Sequence, residues 1–193
     1  MENSEILGFD RLSALFLDRD GVINKKPEND YVKSWDSFQF LPGVLQALKL
    51  LRHHFERIFI ATNQQGIGKG LMTEHQLDLI HKSMLKAIRE SGGKIDKIYF
   101  CPDLASKPGN CRKPAPYMAL QAQKEFPELI FKKSVMVGDT ASDMDFGKQL
   151  SMKTVLISST QTFEMKKEGK QPDFVMKDLL SFALLLDNRN KRY

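Results

Sequence analysis

The chain has 193 residues, of which 41% are hydrophobic and 27% charged, a composition that excludes fibrous and largely disordered proteins. Its longest apolar run, at 179–186, is shorter than the roughly 20 residues that cross a bilayer, and its acidic start does not resemble a secretion signal, so we expect a cytoplasmic protein without a membrane partner. The net charge of +5 permits a nucleic-acid partner, but no run of consecutive basic residues or of basic and aromatic residues supports one, and we do not expect it.

Short apolar segments alternate along the chain with amphipathic ones, which predicts strands separated by helices. The predicted strands are 13–17, 58–61, 97–101, 134–137 and 154–157, and the clearest helices are 43–54, 73–91 and 116–125. Each strand is a continuous apolar run, as in a parallel sheet that is buried on both faces. We therefore predict a single α/β domain over 1–193, with a Rossmann-like three-layer α/β/α arrangement around a mostly parallel sheet.

The segment 22–42 has little periodicity and follows the first predicted strand. It holds Pro27, Tyr31, Trp35, Phe38 and Phe40, too many aromatic residues for a simple linker. Loops of this length inside a compact domain are often functional covers. We predict that it forms a small loop-type cap.

Polar residues follow three of the predicted strands directly. These residues are Asp18 and Asp20, Thr62 and Asn63, and Asp139 and Asp143. Ligands of parallel sheets bind outside the carboxyl ends of the strands, so the three groups should converge on one crevice. Its four carboxylates would repel one another without a cation, and their hard oxygen atoms suit Mg²⁺. Taken singly, each group could instead be a turn or a helix cap.

Longer motifs surround these residues. They are Asp-Arg-Asp-Gly-Val-Ile-Asn at 18–24, Thr-Asn-Gln-Gln-Gly-Ile-Gly-Lys-Gly at 62–70, Cys-Arg-Lys-Pro at 111–114, and Gly138-Asp139 with Asp143. In this order they resemble the four motifs of haloacid-dehalogenase-type phosphatases. They are most similar to the branch that contains histidinol-phosphate and heptose-bisphosphate phosphatases. The resemblance covers about 12–158, which we take as the motif-bearing core.

The resemblance implies a role for each matching residue. Asp18 would be the nucleophile that forms an aspartyl-phosphate, and Asp20 the general acid and then the general base. Mg²⁺ would be held by the carboxylates of Asp18 and Asp139 and the main-chain carbonyl of Asp20, with Asp143 in support. Phosphate and substrate would be bound by Arg19, Asn24, Thr62, Asn63, Gln64, Arg112 and the catalytic Lys113.

The chain departs from the pattern of this branch at a second metal site. Many members have a zinc site built from Cys-x-His and Cys-x-Cys, whereas the matching positions here are Cys101-x-Asp103 and Gly109-x-Cys111. Two thiolates are fewer than the four ligands of a structural zinc, so zinc is not expected. We expect Cys101 and Cys111 to be free thiols or a pair that packs within a loop.

All four histidines lie on predicted helices, away from the motifs, and none is expected to be catalytic. They are His53, His54, His75 and His81.

Taken together, the motifs predict a Mg²⁺-dependent phosphomonoesterase. Its expected substrate is a small phosphorylated metabolite, foremost a sugar phosphate of the heptose 1,7-bisphosphate type and next histidinol phosphate. Thr140 stands where heptose phosphatases often have lysine, which leaves the ester open. Two alternatives remain, a polynucleotide 3′-end phosphatase and a non-catalytic phosphate-binding scaffold. A monomer or weak dimer is expected.

Overall fold

Six parallel strands form the centre of the computed structural model, which describes residues 12–28, 30–158 and 171–190. The strands are β1 (Leu12–Leu17), β2 (Phe55–Asn63), β3 (Lys97–Cys101), β4 (Val135–Gly138), β5 (Lys153–Ile157) and β6 (Phe174–Met176). Their order in the sheet is β3-β2-β1-β4-β5-β6, and every neighbouring pair is parallel. The predicted α/β fold is confirmed.

The described residues form six helices, the last of which follows β6, and a 3₁₀ turn at Phe131–Lys133 precedes β4. The helices are α1 (Val44–Leu51), α2 (Gln65–Gly68), α3 (Glu74–Glu90), α4 (Tyr117–Glu125), α5 (Ala141–Gln149) and α6 (Leu179–Asn190). The helix α3 begins with a capping box: Thr73 Oγ1 accepts a hydrogen bond from the Gln76 main-chain nitrogen, and Gln76 Oε1 accepts one from that of Thr73. Among the described residues, no helix combines the length and apolar character that a membrane span requires.

The helices cover the sheet on both faces. Successive residues of a strand point to opposite faces, so Leu15 and Leu17 of β1 pack with α1 and α6, whereas Phe16 packs with α4 and α5. This alternation confirms the three-layer arrangement. The apolar run at 179–186 lies in α6 and contributes Phe182 to the first face.

The strand β1 lies between β2 and β4, at the point where the strand order reverses direction. The connection from β1 runs toward β2 and the connection from β4 runs toward β5, at opposite sides of the sheet, and a crevice opens between them above the strand ends. The main-chain nitrogen of Asp18 donates a hydrogen bond to the Val137 carbonyl, at 2.9 Å. The residues that follow β1 and β4 are therefore neighbours.

Candidate active site

Three carboxylates meet above the carboxyl ends of β1 and β4. Oxygen atoms of Asp18, Asp139 and Asp143 all lie within 4.8 Å of one another. Asp143 is in the first turn of α5, where its Oδ2 accepts hydrogen bonds from the main-chain nitrogen and hydroxyl of Thr140, at 3.0 and 2.5 Å. Gly138 permits this approach, because a Cβ there would lie 2.1 Å from Asp143 Cβ. The structure thus brings together three of the predicted metal-binding residues.

A buried lysine joins two of these carboxylates. Lys113 Nζ lies 2.7 Å from Asp18 Oδ1 and 2.6 Å from Asp143 Oδ1. The main chain of Lys113 is held by Asn63 at the end of β2, whose Oδ1 accepts from the Lys113 nitrogen at 2.9 Å and whose Nδ2 donates to its carbonyl at 3.3 Å. The predicted convergence of the strand ends therefore includes Lys113.

The carboxylates of Asp18, Asp139 and Asp143 carry more negative charge than the paired Lys113 and Lys26 neutralise. Burial raises the pKa of Asp18 to about 7; Lys113 partly offsets this effect, and the neighbouring carboxylates add to it. Burial and Asp143 likewise raise the pKa of Asp139 despite the ion pair with Lys26. Burial alone would lower the pKa of Lys113, but Asp143 and Asp18 outweigh it and raise this pKa.

The carboxylate of Asp20 is held by three side chains from behind the cleft. Arg19 Nη2 lies 2.9 Å from both carboxylate oxygens, Asn24 Nδ2 donates to Oδ1 at 2.9 Å, and Gln64 Nε2 donates to Oδ2 at 2.9 Å. Burial would raise the pKa of Asp20, but the charge of Arg19 and these hydrogen bonds outweigh burial, so the pKa lies below its usual value.

Four predicted binding residues therefore stand in a different place from the one expected. Arg19, Asn24 and Gln64 contact Asp20 and do not line the cleft. Thr62 is also buried, and its Oγ1 accepts a hydrogen bond from Gln64 Nε2 at 2.9 Å. Arg19 and Asn24 lie in the turn after β1 and Thr62 and Gln64 at the end of β2, and both segments direct these side chains toward one another and Asp20. Their direct contact with a substrate stays a prediction that this arrangement does not support.

The cleft in front of the cluster has a volume of about 220 Å³. Its walls are formed by Asp18, Asp20, Lys26, Pro27, Asp30, Tyr31, Asn63, Gln65, Arg112, Lys113, Thr140, Ser142 and Asp143. The predicted cap contributes Lys26, Pro27, Asp30 and Tyr31 to this lining, and the loop before α4 contributes Arg112. Sequence reasoning missed Lys26, whose Nζ lies 3.2 Å from Asp139 Oδ2; only its place in the predicted cap pointed to it.

The two cysteines are joined in a disulfide. The expectation of free thiols is wrong. Cys101 ends β3, and Cys111 precedes Arg112 and Lys113; their Cα atoms are 5.6 Å apart because the loop between them returns to the same edge of the sheet. This loop carries Lys113 into the site.

His81 lies beside the motifs, contrary to expectation. Its Nε2 is 3.3 Å from Nη1 of Arg19. The signal was present in the sequence, since His81 follows Leu77 by four residues and belongs to the buried stripe of α3 with Met84 and Ile88.

Comparisons with known proteins agree with this geometry. A family model described as HAD-hydrolase-like matches residues 110–182. The chain is 38% identical over 147 residues to the D-glycero-alpha-D-manno-heptose-1,7-bisphosphate 7-phosphatase of Mycobacterium bovis, covering 76% of this chain and 77% of that protein. It is 34% identical over 179 residues to the D-glycero-beta-D-manno-heptose-1,7-bisphosphate 7-phosphatase of Pasteurella multocida, covering 90% and 96%.

A solved structure is similar over almost its whole length. It is the D,D-heptose 1,7-bisphosphate phosphatase from B. bronchiseptica complexed with magnesium and phosphate, with a TM-score of 0.80 and 30% identity. The match covers 92% of this chain and 99% of that one.

Proposed function

The chain belongs to the haloacid-dehalogenase-like hydrolase family and is a phosphatase, and from this premise we propose that it hydrolyses a small sugar phosphate of the heptose 1,7-bisphosphate type with the help of Mg²⁺. The observation that carries the proposal is the Asp18–Lys113 pair, which stands at a cleft of about 220 Å³ with Lys26 and Arg112 in its walls. A nucleophile beside a buried cation suits an anionic ester, and the size of the cleft suits a small molecule.

The residues present fit a magnesium ion. Asp139 Oδ1 is buried, and it has no hydrogen-bond partner in the described part of the chain. The donors are hard carboxylate oxygens, which Mg²⁺ prefers. We assign its binding to the carboxylates of Asp18 and Asp139 and the main-chain carbonyl of Asp20, supported by Asp143. When bound, Mg²⁺ offsets the negative charge of the carboxylates and of the phosphoryl group.

In the first step, the carboxylate of Asp18 attacks phosphorus and the bond to the sugar oxygen breaks. Asp20, in the acid form that the second step of the preceding turnover produces, gives its proton to the leaving oxygen, so that an alcohol departs. Lys113 stays beside Asp18 and neutralises a phosphoryl oxygen. An aspartyl-phosphate at Asp18 is the product.

In the second step, water attacks the phosphorus of this aspartyl-phosphate. Asp20, now a carboxylate, accepts a proton from the water, and the bond to Asp18 breaks. Inorganic phosphate leaves and both carboxyl groups return to their initial states. The hydrogen bonds from Arg19, Asn24 and Gln64 favour the carboxylate form of Asp20 that this step requires.

The walls of the cleft favour a substrate with a second anionic group. Lys26 on the loop and Arg112 beside Lys113 both line the cleft without belonging to the Asp18–Lys113 pair. Tyr31 and Gln65 supply polar groups between them, with Gln65 Nε2 3.4 Å from the Tyr31 hydroxyl. A bisphosphate could place one phosphate at Asp18 and the other near these cations.

A panel of phosphate esters tests the proposal. We expect the purified protein to release phosphate from heptose 1,7-bisphosphate with a kcat/KM of at least about 10⁴ M⁻¹s⁻¹ in Mg²⁺. EDTA should stop the reaction and added Mg²⁺ should restore it. Both anomers belong in the panel, together with histidinol phosphate.

A 3′-phosphorylated oligonucleotide serves as the contrasting substrate. Two lysines of the basic stretch at 94–133 are already paired, Lys107 with Asp103 and Lys97 with Glu125. This pairing argues against a continuous basic track. Rapid release from the oligonucleotide with a steep dependence on salt would contradict the proposal in favour of the polynucleotide phosphatase. Binding of esters with no hydrolysis would favour the non-catalytic scaffold.

A glycine substitution tests the assignment of Asp139. Gly21 has a φ of +97°, and an added Cβ would lie 2.3 Å from Asp139 Oδ2. We expect Gly21→Ala to displace this carboxylate and to raise the Mg²⁺ concentration for half-maximal activity by about 10- to 100-fold. Isothermal titration with Mg²⁺ should show the same loss of affinity.

The matched control is Gly70→Ala. Gly70 also has a left-handed φ, of +69°, but an added Cβ there has no atom within 4 Å. This variant should suffer the same kind of backbone strain and keep its Mg²⁺ affinity. Equal losses of affinity in the two variants would mean that strain, and not the position of Asp139, is responsible.

A further inference from the structure

A chain of buried contacts leads from α3 to Asp20. His81 is buried on α3, and its Nε2 lies 3.3 Å from Nη1 of Arg19. Arg19 is fully buried, and its Nη2 contacts both carboxylate oxygens of Asp20. His81 is not among the residues that line the cleft. The polar contact that links this histidine to the site is therefore the one with Arg19.

The direction of the first contact follows from chemistry. A guanidinium group can only donate hydrogen bonds, so Nε2 of His81 accepts and the ring carries its hydrogen on Nδ1. Burial and the positive charge of Arg19 lower the pKa of His81 to about 3, although Asp20 and Asp78 act in the opposite direction. The ring packs edge-on against Phe100, with centroids 6.3 Å apart. A neutral acceptor is thus held in one orientation.

The guanidinium of Arg19 is held at two of its three nitrogens. Nη2 contacts Asp20 and also Gln64 Oε1, at 3.3 Å, while Nη1 contacts His81. Nε is buried, with no hydrogen-bond partner in the described residues. If His81 did not accept, only the Nη2 corner would be fixed, and the planar group could turn about it. The carboxylate of Asp20 would then be held firmly only by Asn24 and Gln64, and its orientation would be less strictly fixed.

We propose that His81 is a positioning residue for the phosphatase reaction, because it fixes Arg19, which orients the Asp20 carboxylate for proton transfer. The inference rests on the proposed role of Asp20 as general acid and base. It adds to the reaction a residue that lies outside the four motifs, on the helix that covers this side of the site.

The test compares two substitutions of His81. His81→Phe keeps a flat ring and removes the acceptor, whereas Oε1 in His81→Gln can still accept from Arg19. We expect His81→Phe to lower kcat/KM for the sugar phosphate by about 10- to 100-fold, a part of what general acid catalysis contributes. His81→Gln should remain within about threefold of the parent. His75→Phe, at an exposed position of α3, is the control and should change nothing.

A second ester separates positioning from a loss of folding. The first displacement of p-nitrophenyl phosphate needs no proton, because its leaving group is already a weak base. Its kcat/KM should therefore fall less than about threefold in His81→Phe. For p-nitrophenyl phosphate, kcat should fall more than kcat/KM does, because water activation in the second step still needs Asp20. The KM for this ester should therefore fall as well. In Asp20→Asn protein, adding His81→Phe should cause no further loss.

Three results would overturn the proposal. They are equal losses of kcat/KM on the two esters, failure of a folded His81→Gln to recover, and additive losses in the double variant. If no ester is hydrolysed, the proposed function fails, and nitrogen NMR of the His81 ring still decides the contact with Arg19. A neutral ring protonated at Nδ1 is expected near neutral pH, whereas protonation at Nε2 would exclude the contact.

Discussion

Replacing Asp18 with asparagine should abolish phosphate release, lowering kcat by at least about 10³-fold, because an amide is a poor nucleophile. Asp18→Asn keeps the size of the side chain, and Lys113 keeps its ion pair with Asp143 at 2.6 Å. We therefore expect a folded protein that still binds phosphate esters. Steady-state kinetics and equilibrium binding of the sugar phosphate measure the two parts of this expectation.

The stability of Asp18→Asn distinguishes a lost nucleophile from a lost fold. Burial raises the pKa of Asp18 from 3.8 to about 7, so its ionisation opposes folding increasingly as pH rises through that interval. At pH values above 7, in EDTA, the thermal midpoint of Asp18→Asn should equal or exceed that of the parent. A large fall in this midpoint would attribute the inactivity to unfolding instead.

A labelled-water experiment identifies the atom of the aspartyl-phosphate that water attacks, and trapping with a phosphate mimic tests the covalent step itself. Hydrolysis of the aspartyl-phosphate by attack at phosphorus places the solvent oxygen in the released phosphate and none in Asp18. Attack at the carboxyl carbon would place it in Asp18.

Trapping with beryllium fluoride, which imitates a phosphoryl group on a carboxylate, should show the fluoride joined to Asp18. A fluoride held by Lys113 alone, apart from Asp18, would contradict the covalent route and favour direct attack by water.

Replacing Lys113 with methionine should remove activity and weaken the fold together. The side chain of Lys113 is buried between Asp18 and Asp143, and removing one partner of a buried ion pair costs about 3–5 kcal/mol. For a domain of this size, that corresponds to a thermal midpoint lower by roughly 6–20 °C. The phosphoryl oxygen also loses its cation, so kcat should fall by about 10²- to 10³-fold.

Measurements at different Mg²⁺ concentrations and pH values should separate the loss of stability from the loss of activity in Lys113→Met. Excess Mg²⁺ supplies positive charge to the carboxylates and should restore most of the thermal midpoint, but it cannot replace the ammonium group and should not restore kcat. Without Mg²⁺, the variant should gain stability as pH falls from 8 toward 5, because the raised pKa of Asp18 allows this carboxyl to take up a proton. Full recovery of kcat in Mg²⁺ would show that Lys113 has no part in the reaction.

Lys26→Met is the matched control for Lys113→Met. Lys26 also pairs with the cluster, through Asp139 at 3.2 Å, but its side chain is 52% exposed. An exposed ion pair contributes about 1 kcal/mol or less. The thermal midpoint should therefore change little, while KM for a bisphosphate should rise if Lys26 contacts the second phosphate.

The sequence alone determined the layered fold and the position of the site. Continuous apolar runs report burial on both faces, which only a covered parallel sheet provides, and the polar residues after β1, β2 and β4 must then share one edge. Asp18, Asp139, Asp143 and Lys113 are accordingly together. The strand β6 escaped prediction because Val175 at its centre is exposed, so this strand at the edge of the sheet has no buried apolar run.

Only the tertiary structure decided which residues stand in the cleft and which stand behind it. The main-chain nitrogens of Ile23 and Asn24 both donate to the Arg19 carbonyl, and this turn directs Arg19 and Asn24 toward Asp20. No local pattern encodes that direction.

His81 lies 62 positions after Arg19 along the chain, and Cys111 lies 93 positions after Asp18. Each reaches the site region only because a helix or a loop returns to the same edge of the sheet. Periodicity reveals that a side chain is buried. Its neighbours depend on packing between distant segments, and for that reason the support around Asp20 became visible only in three dimensions.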